Sequence, residues 1–167
     1  MDTSEQILTT LRQIIRAIDL HSKTLAKKYG LTGPQLLVLK EFYKSPEQTV
    51  GKVAANVSLS QATVTSILDR LEKQKFVSRI RSSEDKRKVN IKLEEKSIEI
   101  LKTNPGLLQE DFTTQFERLS DWEQGMLISS LQRIAAMMNA DKIASQPVLM
   151  SGPISASSRE ISAYLED

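Results

Sequence analysis

A row of short polar side chains marks one face of a predicted helix in the middle of this sequence. The segment from Ser60 to Gln74 places its apolar residues at three- and four-residue steps, which predicts a helix with one buried stripe. Ser60 is suited to cap its first turn through the side-chain oxygen. The opposite face offers hydroxyl and amide groups that can contact base edges in the major groove of DNA. The residues of this candidate reading face are Ser60, Gln61, Ala62, Thr63, Thr65 and Ser66.

A basic hairpin is predicted directly after this helix. Residues 76–80 and 89–93 alternate between apolar and polar side chains, as β-strands do, and a polar tip joins them. From Arg70 to Lys92 there are nine basic and three acidic residues, a local charge of +6 against +2 for the whole chain. This one-sided charge favours binding to nucleic acid. Arg70 is a further candidate for DNA contact, and the residues expected to contact phosphates are Arg79, Arg81 and Lys86.

The helix and hairpin together resemble the MarR family of bacterial transcription regulators. The resemblance lies in two motifs, Leu68-Asp-Arg-Leu-Glu72 and Asp85-Lys-Arg-Lys-Val-Asn-Ile-Lys-Leu93. It implies a mainly α fold with a small β-hairpin wing, in which a winged helix-turn-helix domain is flanked by N- and C-terminal dimerisation helices. It also implies that Arg87 enters the minor groove of double-stranded DNA and that Asp85 holds its guanidinium. The alternative for the tip is an ordinary solvated loop, and the alternative for the reading face is an ordinary exposed helix surface.

The rest of the chain is expected to position these residues within one compact domain. Residues 1–30 are predicted to form an N-terminal dimerisation helix, residues 31–93 the winged helix-turn-helix, and residues 94–140 C-terminal dimerisation helices. Two positions depart from the family pattern, because neither the turn 57–59 nor Lys75 has the expected glycine. Residues 141–167 read as an irregular tail. Either that tail is frayed, or Ser157 and Glu160 cap a short helix whose Tyr164 and Leu165 dock on a homodimer.

The resemblance also implies a small-molecule effector pocket between the first two helices and the DNA-binding lobe. Its candidate lining residues are Arg16, His21 and Gln35. The alternative for His21 is a histidine at the edge of the core or of the dimer. A chain with one histidine and no cysteine is not expected to hold a zinc ion or any other cofactor, and it cannot be a thiol-based redox sensor. No catalytic constellation is visible, so we do not expect an enzyme.

Two further expectations concern location and regulon. No apolar run is long enough for a membrane span, and the absence of cysteine fits the cytoplasm. Residues 12–21 and 30–36 resemble the branch of the family that represses genes for compatible solutes such as ectoine and glycine betaine. The competing interpretation of the whole chain is a winged-helix protein-interaction module that binds no DNA. Salt-dependent binding to duplex DNA would distinguish the two.

Overall fold

The fold is mainly helical, with one two-stranded antiparallel sheet. The computed structural model describes residues 2–82 and 89–166. The described part contains eight helices and two strands in the following order: α1 Thr3–Tyr29, α2 Gly33–Lys44, α3 Val50–Asn56, α4 Gln61–Lys73, β1 Val77–Arg81, β2 Val89–Leu93, α5 Glu95–Lys102, α6 Leu108–Phe116, α7 Asp121–Met137 and α8 Ser158–Glu166. This architecture is the winged helix predicted from the sequence.

Helices α1 and α2 meet at a short joint that the local sequence specifies. Gly30 ends α1 in the left-handed conformation, at a φ of 66°, and its N–H donates to the carbonyl of Ala26. Thr32 then caps α2 through a reciprocal pair of hydrogen bonds with Gln35. Pro34 occupies the first turn of α2, where its missing N–H costs nothing.

Helices α3 and α4 form the helix-turn-helix, and their apolar sides build the core. Thr49 caps α3 and Ser60 caps α4 through their side-chain oxygens. The turn between the helices has no glycine, so Ser58 itself takes the left-handed conformation, at a φ of 55°. The fully buried side chains of this lobe include Leu31, Leu36, Leu39, Phe42, Val53, Val64, Ile67, Leu68 and Leu71. The apolar stripe predicted for the recognition helix α4 is therefore its buried side.

The wing is tied to α4 at its base. Lys75 has a φ of 59°, which is the left-handed conformation that glycine would adopt at lower cost. Phe76 follows, with its N–H bonded to the carbonyl of Leu71 and its ring buried. Strands β1 and β2 pair from Val77 opposite Leu93 to Arg81 opposite Val89. The hairpin thus starts from a fixed position at the end of the recognition helix.

The chain divides into two compact units rather than the single one that the sequence suggested. The first unit comprises Met1–Pro105 with Pro147–Asp167, and the second comprises Gly106–Gln146. The second unit contains α6 and α7. Glu123 accepts hydrogen bonds from the N–H and the hydroxyl of Ser120 at the start of α7, and these bonds lower the pKa of Glu123. This is the predicted start of that helix.

The C-terminal segment, defined here as residues 147–166, belongs to the first unit and is not a frayed tail. Ser157 and Glu160 form the cap that the sequence allowed, since Glu160 accepts from the N–H of Ser157 at 2.8 Å and the hydroxyl of Ser157 accepts from the N–H of Glu160 at 3.3 Å. Helix α8 follows, and its Ile161 is buried. Tyr164 and Leu165 pack against a small apolar cluster with Ala26 of α1 within the same chain.

Candidate nucleic-acid interface

The polar face of α4 is open to solvent along the side opposite the core. Gln61, Ala62, Thr65 and Ser66 are exposed, as is the cap residue Ser60, while Thr63 is half-buried. Since Val64, Ile67, Leu68 and Leu71 are fully buried, the helix cannot rotate to present another side. The structure thus brings all six predicted reading residues onto one accessible surface at the first turns of the helix, the part that enters the major groove in helix-turn-helix proteins.

Three hydroxyl groups of this face are already engaged. The oxygen of Ser60 accepts from the N–H of Thr63 at 3.0 Å, and the two side-chain oxygens are 2.7 Å apart. The hydroxyl of Thr65 donates to the carbonyl of Gln61 at 2.9 Å. Thr65 consequently offers its methyl group for an apolar contact, such as that with thymine. Gln61 and Ser66 are the side chains best placed to exchange new hydrogen bonds with bases.

The wing side of α4 is held by a group that we call the wing clamp, which consists of Arg79, Asp69 and Glu72. The guanidinium of Arg79 donates to Asp69 and to Glu72, each at 2.6 Å, and its backbone N–H donates to Glu72 at 3.2 Å. Burial would lower the pKa of Arg79, but the hydrogen bonds and charges of the two carboxylates outweigh it and raise that pKa. The wing clamp therefore fixes strand β1 to the recognition helix.

This clamp changes the role predicted for Arg79. The sequence suggested a phosphate contact, yet the forked side chain is occupied by two acids seven and ten residues before it in the chain. Two of its five N–H donors are thus engaged in short, charge-assisted bonds that hold the side chain against α4. The spacing of Asp69 and Glu72 on one flank of a helix, facing a basic strand, was the signal that could have revealed this.

Other cations remain available near the wing. Arg81 ends β1 and is exposed, and Lys73, Lys75 and Lys92 are exposed as well. The predicted wing-tip residues Asp85, Lys86 and Arg87 lie outside the described residues, so their placement stays a prediction. These exposed cations are available to contact DNA phosphates.

The opposite flank of α4 contacts the C-terminal segment. Arg70 forms an ion pair with Glu160 of α8, with 3.4 Å between nitrogen and oxygen. Gln74, the C-cap of α4, donates to the carbonyl of Ala156 at 3.3 Å and to the hydroxyl oxygen of Ser158 at 3.4 Å. Arg70 was predicted to contact DNA, and in the protein alone it has an acidic partner. The sequence contained no signal for this contact, because the partners are about ninety residues apart.

The three residues predicted to line an effector pocket do not come together. Gln35 is fully buried, and its amide bonds to Thr32 and to the carbonyl of Ala156 at 3.0 Å. His21 is half-buried, and its Nε2 has no hydrogen-bond partner among the described residues. The expected pocket region is occupied by the chain's own C-terminal segment, which the sequence did not predict.

Arg16 lines an open cleft beside this segment. The cleft has a volume of about 510 Å³ and is bordered by neither His21 nor Gln35. Arg16 itself is paired with Asp19 at 3.1 Å. The residues around the cleft are Arg12, Ile15, Arg16, Ile18, Asp19, Met150 and Ser151. Of the three residues predicted to line an effector pocket, this cleft is lined by Arg16 alone.

The described residues include no cluster of three or more histidine, cysteine, aspartate or glutamate side chains that could hold a metal ion. No described helix is both long enough and apolar enough to cross a membrane. The chemistry available at the surface is thus that of hydrogen bonds, apolar contacts and positive charge around an exposed helix.

The known proteins to which this chain is similar are transcriptional regulators. The family model of the transcriptional regulators SarA/Rot matches residues 21–103, which cover α2 to α5 and the end of α1. The HTH-type regulator YsmB of Bacillus subtilis, itself uncharacterised, is 27% identical over 75% of this chain and 86% of its own length. MgrA of Staphylococcus aureus, another HTH-type transcriptional regulator, is 36% identical over 56% of this chain. That match spans 64% of MgrA, slightly less than two thirds of its length.

Solved structures give the same fold. The alignment with ZitR of Lactococcus lactis covers 83% of this chain and 99% of the ZitR chain, with 22% identity and a TM-score of 0.63. A MarR/EmrR family regulator from Acinetobacter covers the same shares, with 19% identity and a TM-score of 0.52. MepR of S. aureus, solved in complex with DNA, covers 77% of this chain and 94% of its own, with 20% identity and a TM-score of 0.53. The SarA/Rot family model thus matches residues 21–103, about half of this chain, and the fold is that of solved winged-helix regulators of the MarR family.

Proposed function

We propose that the protein is a transcription repressor that binds a near-palindromic DNA operator as a homodimer. The observation that carries the proposal is the recognition helix α4, whose apolar side is fully buried while its polar side is exposed beside a basic hairpin. Such a helix fits the major groove, and the hairpin reaches an adjacent groove or the backbone. A regulator of this kind acts where the chromosome is, which places it in the cytoplasm of a bacterial cell.

Unsatisfied apolar surface supports the homodimer. In α1, Ile7, Leu8, Ile14 and Ile15 are exposed, and in α7, Trp122 is 69% exposed with Met126 and Leu131 also open to solvent. Exposed apolar rows of this kind usually mark a protein–protein interface. A two-fold dimer presents two identical recognition helices, so the operator should repeat with two-fold symmetry, with half-site centres roughly 10 base pairs apart.

The MepR–DNA complex shows that a protein of this fold binds DNA. For the present chain we infer that α4 contacts bases, that Arg81 and Lys86 contact phosphates, and that Arg87 enters the minor groove with support from Asp85. Arg87→Ala should weaken operator binding by roughly 1–3 kcal/mol per site while leaving thermal stability unchanged. Asp85→Ala should give a smaller loss of the same kind.

A narrower proposal is that the regulon includes genes for compatible solutes and that ionic strength itself is the signal. It rests on the likeness of residues 12–21 and 30–36 to that branch. If about eight phosphates are neutralised per dimer, affinity should fall with a log–log salt slope near −7. Ions that accumulate on osmotic upshift would then release the protein from DNA without any small-molecule effector. A slope shallower than about −2 would make a small-molecule effector the better explanation.

The test begins with selection of bound duplexes from a random pool and mapping of bound sites in the genome. We expect an inverted repeat, and light scattering should give a dimer at micromolar concentration. A monomer, or a single asymmetric half-site in footprinting, would contradict the proposed assembly. A folded protein that binds no duplex DNA at low salt would instead support the protein-interaction module.

A further inference from the structure

Side chains of the DNA-reading unit bind the main chain of the C-terminal segment. The hydroxyl of Thr32 donates to the carbonyl of Ile154 at 2.8 Å, and the amide of Gln35 donates to the carbonyl of Ala156 at 3.0 Å. Gln74 donates to the same carbonyl of Ala156 at 3.3 Å. These donors come from α4 and from the first turn and cap of α2, and Gln35 is fully buried. Side-chain donors that bind alternate backbone carbonyls of an extended segment are typical of peptide-binding grooves.

Helix α1 forms the other side of this groove. Ser22 accepts a hydrogen bond from the N–H of Ser151 at 2.9 Å, and Asp19 accepts from the hydroxyl of Ser151 at 2.9 Å. The hydroxyl groups of Ser151 and Tyr164 are 2.5 Å apart. Since the partners are more than 120 residues apart in sequence, this contact depends on the docking of a remote segment.

The apolar contacts of the segment are made by the buried side chains of Val148, Ala156 and Ile161, with Tyr164 and Leu165 packed partly against them. Ala156 is fully buried and packs with Ala26 and Ile161, and Val148 lies against Gly33, where an added Cβ would be 3.1 Å from it. Two polar atoms, Oε1 of Gln74 and Oγ of Ser155, are buried without a hydrogen-bond partner among the described residues. Because these apolar contacts are few and two polar atoms are unmatched, we expect the segment to open more easily than the helical core.

The segment meets the DNA-binding surface at one ion pair. Glu160 of α8 lies 3.4 Å from Arg70 of the recognition helix, and the two side chains are about half exposed. Arg70 lies on the same side of α4 as Thr63 and Ser66, at steps of seven and four residues. A carboxylate held at this place competes with a DNA phosphate for the same guanidinium.

We propose that the groove formed by α1, α2 and α4 is a peptide-binding site whose ligand is the chain's own C-terminal segment, and that its docking opposes DNA binding by holding Glu160 on Arg70. This coupling rests on the proposed DNA-binding function. When the segment is released, Arg70 is free to bind a DNA phosphate. Because coupling between two sites is reciprocal, DNA binding in turn favours release of the segment.

The test uses full-length protein and a labelled duplex selected with the wild type. Glu160→Gln removes the charge that holds Arg70 but keeps the cap with Ser157, since glutamine serves in a capping box. Glu166→Gln is the matched control, because it removes a carboxylate from the same helix. We expect Glu160→Gln to bind about three- to tenfold tighter at low salt and to steepen the log–log salt slope by roughly one per protomer. Glu166→Gln should leave that slope unchanged.

A double-variant cycle identifies the partner. In an Arg70→Gln background, Glu160→Gln should have no further effect on affinity or slope. The coupling is overturned if Glu160→Gln and Glu166→Gln give the same slope, or if Glu160→Gln still steepens it without Arg70. A wild-type protein that binds no duplex would overturn the proposed function together with this coupling. Hydrogen exchange in residues 147–166 should increase when the duplex is added, and unchanged exchange counts against the groove as a site coupled to DNA.

Discussion

The recognition helix α4 is held on both flanks, but by contacts of different kinds. On the wing flank, Arg79 reaches two carboxylates at 2.6 Å, and its side chain is 30% exposed. The other flank contacts the C-terminal segment, and we call it the tail flank. There Arg70 reaches the carboxylate of Glu160 at 3.4 Å, and the two side chains are 39% and 50% exposed. The first contact is short and forked, whereas the second is single and longer, and the carboxylates of both are partly open to solvent.

The two contacts also differ in how far apart their residues lie in the sequence. The wing clamp joins residues at most ten positions apart, so the hairpin that follows α4 forms it without closing a long loop. The tail contact closes a loop of ninety residues and depends on a segment with few apolar anchors. From this comparison we expect the base of the wing to stay fixed to α4 and the C-terminal segment to detach more easily.

Arg79→Ala should have the largest effect. It removes charge-assisted bonds and leaves Asp69 and Glu72 as two uncompensated acids beside the DNA. We expect a loss of roughly 2 kcal/mol in operator binding, which is about thirtyfold, together with a lower melting temperature. Arg81→Ala, two positions along the same strand, is the control and should mainly make the salt slope shallower, by about one per protomer. Equal melting temperatures for Arg79→Ala and wild type would show that the clamp does not fix the wing.

Ile161→Asp should detach the C-terminal segment and leave the wing flank intact. An aspartate cannot replace a buried isoleucine without a partner for its charge. Amide exchange in residues 147–166 should rise by at least about tenfold, a change of roughly 1.4 kcal/mol in local opening, while α4 and β1 stay protected. Ser162→Asp, at the exposed neighbouring position, should leave exchange unchanged. Simultaneous loss of protection in α4 would mean that the two flanks are one cooperative structure.

Lys75→Gly should stabilise the joint between α4 and the wing. Lysine at a φ of 59° is strained, and glycine adopts this conformation freely. We expect the free energy of unfolding to rise by roughly 0.5–1 kcal/mol in chemical denaturation. The matched change Lys73→Gly, at the last residue of α4, should lower it, since glycine weakens a helix. A Lys75→Gly variant that is less stable than wild type would contradict the claim that Lys75 is strained.

The smallest effect concerns alkaline pH at the tail flank. Burial is the main cause that raises the pKa of Tyr164, and the charge of Asp19 acts in the same direction. A raised pKa means that docking is fully favoured below about 10, the ordinary value, and weakens as pH rises through the pKa of the docked state. In a phenolate absorbance titration, Tyr164→Phe should remove the last of three tyrosine transitions, whereas Tyr29→Phe should remove an earlier one. Loss of the earliest transition in Tyr164→Phe would place Tyr164 in solvent.

Local patterns predicted most of the fold. The cap at Ser60, the buried stripe of α4 and the alternation of the hairpin depend on residues a few positions apart, and the structure has each of them. The strained conformation at Lys75 was foreseen because a glycine was missing at a position that requires it. The expectation of one compact domain was not met, because periodicity shows which face of a helix is buried but not what covers it.

The candidate site was predicted less completely. The composition of the reading face followed from helical spacing, but the sequence did not show that Arg79 would turn toward Asp69 and Glu72. It also gave no sign that Gln35, expected in an effector pocket, would bind the main chain at Ala156. Both contacts depend on tertiary placement, and the second joins residues 121 positions apart. Pattern reasoning is weakest for such long-range polar contacts.

The central claim, that the exposed face of α4 reads duplex DNA, is tested most directly by one anisotropy series. Affinity for the selected duplex would be measured from 0.1 to 0.5 M potassium glutamate, approximately the range over which counterion release acts strongly. Wild type, Ser66→Glu and the control Thr24→Glu on α1 would be compared, with circular dichroism to verify folding. We predict a log–log slope near −7 for wild type and Thr24→Glu, and no detectable binding for Ser66→Glu. Equal binding by folded Ser66→Glu and wild type would contradict the assignment of α4 as the recognition helix.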